Sequence, residues 1–256
     1  MRDADRRKDE FIALLAHELR NALASLRNGL QVMRLGAGDA NAVNQARTMM
    51  ERQLGHMVRL IDDLLDISRI NQNKMELRRS RVLLRDVVSS AVETARPAIE
   101  SAGHELIVTL PPAPIHLDAD LTRLGQVFSN LLNNSAKYTE RGGRIWLSAE
   151  RRDADVVVTV RATGIGIPAD SLPRIFDMFS QVDRSIERST GGLGFGLALV
   201  KGLVGMHDGT VTAASDGQGK GSTFTVKLPA LGPLTETLAP VPSDNGQTWL
   251  SSMRMS

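Results

Sequence analysis

The chain has 256 residues, 42% hydrophobic and 23% charged, which is the balance of a soluble globular protein with room for one large domain or two modest ones. A formal net charge of only +2 gives no electrostatic footprint for nucleic acid or an anionic membrane. With no cysteine there is no disulfide, no thiolate metal site and no thiol chemistry, which suits a reducing cytoplasm.

The first ten residues, Met1 to Glu10, are dense in charge and lack an apolar signal core. No run approaches the roughly 20 apolar residues of a membrane span, so no membrane insertion is expected. Residues 5–35 read as one long helix, ended by the breaker cluster Gly36-Ala-Gly38-Asp39. Leu15, Leu19, Leu23, Leu26, Leu30 and Met33 recur at three- and four-residue steps and define one apolar face. A second long helix carries the heptad seam Val43, Met50, Leu54, Met57, Ile61 and Leu64, and continues to about Ile70. Two such helices joined by a short loop form an antiparallel hairpin. Pairing with a second copy would complete a four-helix bundle, so a homodimer is expected.

Composition shifts after Asn71-Gln-Asn-Lys74, and the domain boundary is expected near residues 72–82. Leu84 to Ala102 reads as helix, His104 to Leu110 as a strand, and Asp120 to Lys137 as helix again. Arg144 to Glu150 and Asp155 to Val160 read as paired strands, followed by a helix from about Leu193 to Met206. Gly209 to Ala214 and Ser222 to Leu228 close the region as a hairpin around Asp216-Gly217. The expected fold class is α+β, a helical hairpin followed by a two-layer α/β sandwich. The division is 1–75, 76–230 and a flexible tail or linker over 231–256, rich in Pro, Ser, Thr and Asn.

Three pieces carry chemistry. In the first helix, His17-Glu18 interrupts the apolar pattern. At about 100° per residue His17 points roughly 160° away from Leu15 and Leu19, off the packing stripe. An imidazole beside a carboxylate can act as a nucleophile whose proton the acid accepts. A lone histidine is more often a core or surface residue, and the adjacent acid and Asn21 lower the weight of that reading. The second piece is a pair of glycine runs, Thr163-Gly164-Ile-Gly166-Ile-Pro168 after a strand and Gly191-Gly192-Leu-Gly194-Phe-Gly196 opening a helix. Glycines there let the backbone approach a ligand, and a helix N-terminus offers N–H groups to phosphate. Neither run fits a dinucleotide fingerprint or a P-loop.

The third piece is Asn130-Leu-Leu-Asn133-Asn134-Ser-Ala-Lys137-Tyr138-Thr139, in which Asn130, Asn134 and Lys137 share a helical face. Asparagine is a poor helix former, so three within five residues need a reason. A solvated polar face is one reading. The other is carbonyl oxygens for Mg²⁺, with Lys137 for phosphate and Tyr138 packed on a base.

Taken together, these pieces resemble the sensor histidine kinases of two-component signalling, over about residues 5–229. His17-Glu18-Leu19-Arg20-Asn21 looks like the H box, Asn130 to Thr139 the N box, and Thr163 to Ile167 most of the first G box. Ile175-Phe176-Asp-Met-Phe179 looks like the F box, and Gly192 to Gly196 the second G box. Within the family the chain looks most like the cytoplasmic cores of hybrid or PAS-linked sensors. The resemblance implies a dimerisation and phosphotransfer hairpin followed by a GHKL-type ATP-binding domain, in a bacterial cytoplasm. His17 would attack the γ-phosphate of ATP with Glu18 as base, and Asn21 would help orient water if the protein also dephosphorylates its partner. Asn134, with Asn130, would hold Mg²⁺; Lys137, Tyr138, Gly164, Gly166, Gly192, Gly194 and Gly196 would line the nucleotide site. Residues 180–192 would form a lid, with Arg184 or Arg188 adding charge, and the phosphoryl group would pass to an Asp of a response-regulator receiver domain.

Two places depart from the pattern. The family has Pro where Ala22 stands, a change that affects mainly how the bundle bends. It also has Asp where Ala162 stands, and that carboxylate accepts a hydrogen bond from the adenine amino group. Losing a buried bond of this kind costs about 1.5–3 kcal/mol, roughly 10- to 150-fold in affinity. Two readings of different class therefore stand: a histidine kinase core weakened at Ala162, or a non-catalytic dimeric scaffold that docks a receiver domain or another kinase. A gyrase, heat-shock or mismatch-repair type ATPase is disfavoured by the upstream His17-Glu18 hairpin. The other histidines, His56, His104, His116 and His207, are expected at the surface or in loops.

Overall fold

The computed structural model describes residues 2–36, 39–178 and 195–232. It opens with two long antiparallel helices, α1 (Arg2–Leu35) and α2 (Ala40–Asn71). Asp39 starts α2 by accepting hydrogen bonds from the backbone N–H of Asn41 at 2.9 Å and of Ala42 at 3.2 Å. Ala22 is buried within an unbroken α1, as a strong helix former in place of proline allows.

The hairpin buries only part of its apolar seam. Ala22, Ala46, Leu60 and Ile67 are buried, whereas Leu23 at 56%, Leu30 at 52%, Leu54 at 55% and Leu65 at 49% are exposed. Gly29 lies so close to Met50 that an added Cβ would sit 2.5 Å from its Cγ, which fixes where the two helices cross.

The remaining elements are β1 (Ser80–Leu83), α3 (Leu84–Ser101), β2 (Glu105–Thr109), β3 (His116–Ala119), α4 (Leu121–Lys137), β4 (Arg144–Arg152), β5 (Asp155–Ala162), a short 3₁₀ turn (Leu172–Arg174), α5 (Gly196–Met206), β6 (Thr210–Ala214) and β7 (Ser222–Pro229). Five strands form one sheet in the order β2-β4-β5-β7-β6. All neighbours are antiparallel except β2 and β4, which run parallel with Ile107 opposite Trp146. The β4–β5 turn places Asp153 at φ 54, a left-handed conformation that Asp tolerates.

Alternation along β4 sends Ile145 and Leu147 inward and leaves Ser148 and Glu150 in solvent. α4 meets that inner face with Leu124, Val127, Phe128, Leu131 and Leu132, all completely buried, and α5 adds Leu199 and Leu203. The result is a two-layer α+β sandwich with α3 on α4 and α4 on α5.

Two features depart from expectation. β1 and β3 form a separate two-stranded sheet, with Val82 opposite Leu117, where the sequence shows only a boundary and a short run. Strands of four residues are too short to show an alternation. In addition, His104 and His207 are buried rather than at the surface. His104 Nε2 pairs with the Ala136 carbonyl at 2.9 Å, and His207 is held at both ring nitrogens. His116 is half-buried in β3, and the side chain of His56 lies outside the described residues.

Candidate functional site

α4 is fixed at its N-terminus by Asp120, which is itself buried. One carboxylate oxygen of Asp120 accepts from Arg123 N at 3.1 Å, capping the helix, and the other accepts from Arg78 N at 3.0 Å. The backbone N–H of Asp120 donates to His207 Nε2 at 3.1 Å, so the end of α5 is tied to the start of α4. His207 Nδ1 donates in turn to the Leu203 carbonyl at 2.8 Å. This arrangement requires a neutral ring. Burial pushes the His207 pKa below its usual 6.5, the bond to Leu203 works against that shift, and the Arg79 charge adds to it.

The far half of α4 brings Asn130 and Asn134 opposite the first residue of α5. A Cβ on Gly196 would lie 3.8 Å from Asn134 Nδ2 and 3.9 Å from Asn130 Oδ1. Asn130 Nδ2 is buried with no partner among the described residues, as is Thr139 Oγ1. His104 Nδ1 is likewise unpartnered among them, although buried polar atoms are normally satisfied; of the three, Asn130 stands beside Gly196 and Thr139 beside Gly164. α5 also starts without a side-chain cap, leaving its N-terminal dipole facing the same space. Lys137 Nζ bonds the Tyr138 hydroxyl at 2.9 Å and lies 4.6 Å from that ring's centroid, so these two side chains engage each other.

The glycine turn after β5 is clamped from two sides. Ile165 N donates to the Tyr138 carbonyl at 2.9 Å, Gly219 N to the Ile165 carbonyl at 2.7 Å, and Gly221 N to the Gly164 carbonyl at 3.0 Å. Ser215 Oγ accepts from Ile167 N at 2.9 Å and donates to the Gly221 carbonyl at 2.6 Å. Backbone passes so near that a Cβ on Gly164 would strike the Tyr138 carbonyl and one on Gly166 the Gly217 carbonyl. Ala162, the last residue of β5, is buried at 4% exposure within the hydrophobic core, two residues before Gly164.

Asn130, Asn134, Lys137, Tyr138, Ala162, Gly164, Gly166 and Gly196 are thus gathered on α4, the β5 turn and the start of α5. Gly192, Gly194, Phe179, Arg184, Arg188 and the rest of 180–192 lie outside the described residues. His17 and Glu18 lie in α1, with side chains outside the described residues, and Asn21 is exposed one turn further on. Among the described residues no group of three or more His, Asp or Glu could hold a metal, and no helix is long and apolar enough to cross a membrane. A cation here would need amide oxygens and phosphate. Asn130 and Asn134 fit that donor set, while Ala162 does not fit an adenine amino group.

Structural roles that the sequence motifs do not announce belong to Asp120 with His207, and to a polar cluster of Asp63, Asp66, Arg123 and Gln126. The last had a visible signal: two acids and their two answering groups, each pair three residues apart.

Residues 7–73 match the family described as "His Kinase A (phospho-acceptor) domain". Residues 119–232 match "Histidine kinase-, DNA gyrase B-, and HSP90-like ATPase". The chain is 37% identical over 235 residues to the "Non-motile and phage-resistance protein" of Caulobacter vibrioides, covering 88% of this chain and 27% of that protein. It is 33% identical over 237 residues to the "Circadian input-output histidine kinase CikA" of Thermosynechococcus vestitus, covering 90% and 32%. It therefore spans about a quarter to a third of the length of these curated relatives. The solved structure of full-length ShkA in complex with AMPPNP superposes with a TM-score of 0.63 at 27% identity, covering 88% of this chain and 46% of that one. A phospho-acceptor hairpin and a GHKL-type ATPase fold in this order place the chain among the sensor histidine kinases of two-component signalling, as a catalytic core.

Proposed function

We propose that this chain autophosphorylates His17 from Mg-ATP and passes the phosphoryl group to an Asp of a response-regulator receiver domain. Residues 1–75 would act as the dimerisation and phosphotransfer hairpin and 76–230 as the ATP-binding domain, working in a bacterial cytoplasm. The observation that carries this reading is the placement of Asn130 and Asn134 against Gly196, with an orphaned amide, in a chain that also carries His17-Glu18 on α1. In the reaction a His17 ring nitrogen forms a bond to the γ-phosphorus while the bond to the bridging oxygen breaks and ADP leaves. Glu18 takes the imidazole proton, and Asn21 would orient the water in a separate hydrolysis, in which water attacks the phosphorus of the partner's aspartyl phosphate and the carboxylate leaves, releasing inorganic phosphate. Asn134 and Asn130 would hold Mg²⁺. Lys137 would release Tyr138 to meet phosphate, and Tyr138 would then pack on the base. Gly164, Gly166, Gly192, Gly194 and Gly196 would keep the backbone near the nucleotide. The half-exposed row Leu23, Leu30, Leu54 and Leu65 supports pairing with a second copy, each side chain contributing about 1 kcal/mol when covered.

Ala162 sets the level of activity. A buried methyl group offers no acceptor to adenine, so binding falls roughly 10- to 150-fold below that of a carboxylate at this position. The same observation supports the second reading, a dimeric scaffold that docks a receiver domain or kinase without using ATP. Acid-labile phosphate incorporation from labelled Mg-ATP, compared with an Ala162→Asp chain, separates them. The expected result is little label on the chain as it stands and clear label at His17 in the Asp variant. No label in either folded dimer would establish the scaffold, and equal strong labelling would show that Ala162 does not limit binding.

A further inference from the structure

Where the hairpin meets the sandwich, the contact is more specific than a linker requires. Arg123 Nη1 lies 2.5 Å from Asp66 Oδ2 and also donates to Gln126 Oε1 at 2.9 Å. Gln126 Nε2 donates to Asp66 Oδ2 at 3.2 Å and reaches Asp63 Oδ1 at 3.5 Å. Asp66 is only 6% exposed, and a carboxylate so buried is tolerable only while its partners stay in place.

An apolar half completes the junction. Ile70, one turn beyond, sits against Gly202 of α5, where an added Cβ would lie 3.1 Å from its Cδ1. Leu60 and Ile67 of α2 are buried in the same core as Leu124 and Leu199. At the last residue of α2, Asn71 Nδ2 donates to Met178 Sδ at 3.5 Å.

An apolar seam alone tolerates sliding, because its attraction is not directional. A buried carboxylate such as that of Asp66 does not, since a shift leaves it without its partner while the Arg123 side chain, 27% exposed, can still meet water. The element held this way is α4, and Gln126 precedes Asn130 by four residues on it, so whatever fixes Arg123 and Gln126 also orients the asparagine face.

We propose that Asp66 and Arg123, braced by Gln126 and Asp63, form an interdomain latch. It clamps α4, and with it Asn130 and Asn134, in one orientation on the hairpin of the same chain. These four are positioning residues, and the latch stands whether or not nucleotide binds.

Because the chain has no cysteine, two introduced at exposed Arg52 of α2 and Glu150 of β4 can carry spin labels without background. Labelled chains are mixed with excess unlabelled copies, and the separation within one chain is read by pulsed electron resonance. The parent should give one narrow distance. Asp66→Asn and Arg123→Met should each move most of the signal, at least severalfold, into a broad distribution, and the double variant should add little to either. Gly202→Val should pry the junction from its apolar side. A group that only stabilises its own helix would lower the melting temperature and leave the distance narrow; that result, or a broad distance in the parent, overturns the latch. If Asp66→Asn disrupts the hairpin, as circular dichroism would show, Arg123→Met reads the same quantity from the other side. Unfolding of both would also overturn the proposal, in favour of a role in the core.

Discussion

Asn134 of α4 faces Gly196 of α5, its side-chain nitrogen 3.8 Å from where a Cβ on that glycine would stand. A methyl group there would make ordinary van der Waals contact with both asparagines. Gly196→Ala should leave nucleotide affinity within a few-fold. Gly196→Val should lower it at least tenfold with the fold intact. Titration of a fluorescent ATP analogue into an Ala162→Asp background checks this. Equal affinity in both variants would show that the Asn134–Gly196 space lies outside the nucleotide site.

Gly166 adopts φ +74 and Gly221 φ +73, and a Cβ on either would drive into a carbonyl, that of Gly217 or Ala162 respectively. The left-handed backbone alone costs a non-glycine residue about 1–2 kcal/mol. Gly166→Ala should therefore lower the melting temperature by roughly 5 °C or more. Gly217, also at positive φ but with open space around its Cβ position, should lose less on the same change. Thermal melts of the two variants decide it, and equal losses would mean that the clash relaxes at no cost.

His207 gives an acid-side signature. Its ring must stay neutral to accept from Asp120 N–H, and burial lowers its pKa below 6.5. The unfolded chain then binds more protons, so this contribution is whole above pH 6.5 and fades as pH falls through the lowered value. His207→Leu should cost about 1–3 kcal/mol at pH 8, because the Asp120 N–H is left buried without an acceptor. The same variant should flatten the stability profile below pH 6.5, as denaturant titrations at several pH values would show.

Asp63 has the opposite sign. Burial at the junction pushes its carboxyl up to about 6 from 3.8; the Gln126 hydrogen bond opposes this, Asp66 and Asp62 add to it, and Arg59 opposes it. Docking of α2 on α4 thus takes up a proton. It is strongest below pH 4 and weakens as pH rises through about 6, by at most tenfold per pH unit in this interval. The narrow distance described above should sharpen on acidification from pH 7 to 5, and Asp63→Asn should abolish that change. A pH-independent distance in the parent would place Asp63 outside the docking equilibrium.

Much of this architecture is legible from periodicity. The Leu15 and Met50 seams specify the hairpin, and the alternation from Ile145 to Leu147 specifies a sheet with one wet face. β1 and β3 are not legible, because four residues carry no measurable period and their pairing, Val82 with Leu117, is long-range. His104 and His207 look scattered in sequence because their partners, the Ala136 carbonyl and Asp120 N–H, are backbone atoms that any residue could supply. Asn130 and Asn134 announce themselves as poor helix formers on one face of a helix, and Gly196 as part of a glycine run that opens another, so the site is more legible than the junction that orients it.

The hairpin also has a mechanical polarity. α1 and α2 are each about 50 Å long and run antiparallel, so the first turns of α1 stand beside the last turns of α2, where Asp66 and Ile70 grip the sandwich. The opposite end, the last turn of α1 and the first turn of α2, lies far from this junction. A torque applied at the start of α1 meets the gripped end directly and need not travel down one rod and back up the other. Adding matched turns to both helices near the opposite end would lengthen the rods without altering the drive. One or two residues inserted between Ile61 and Asp66, at about 100° each, would rotate the clutch out of mesh.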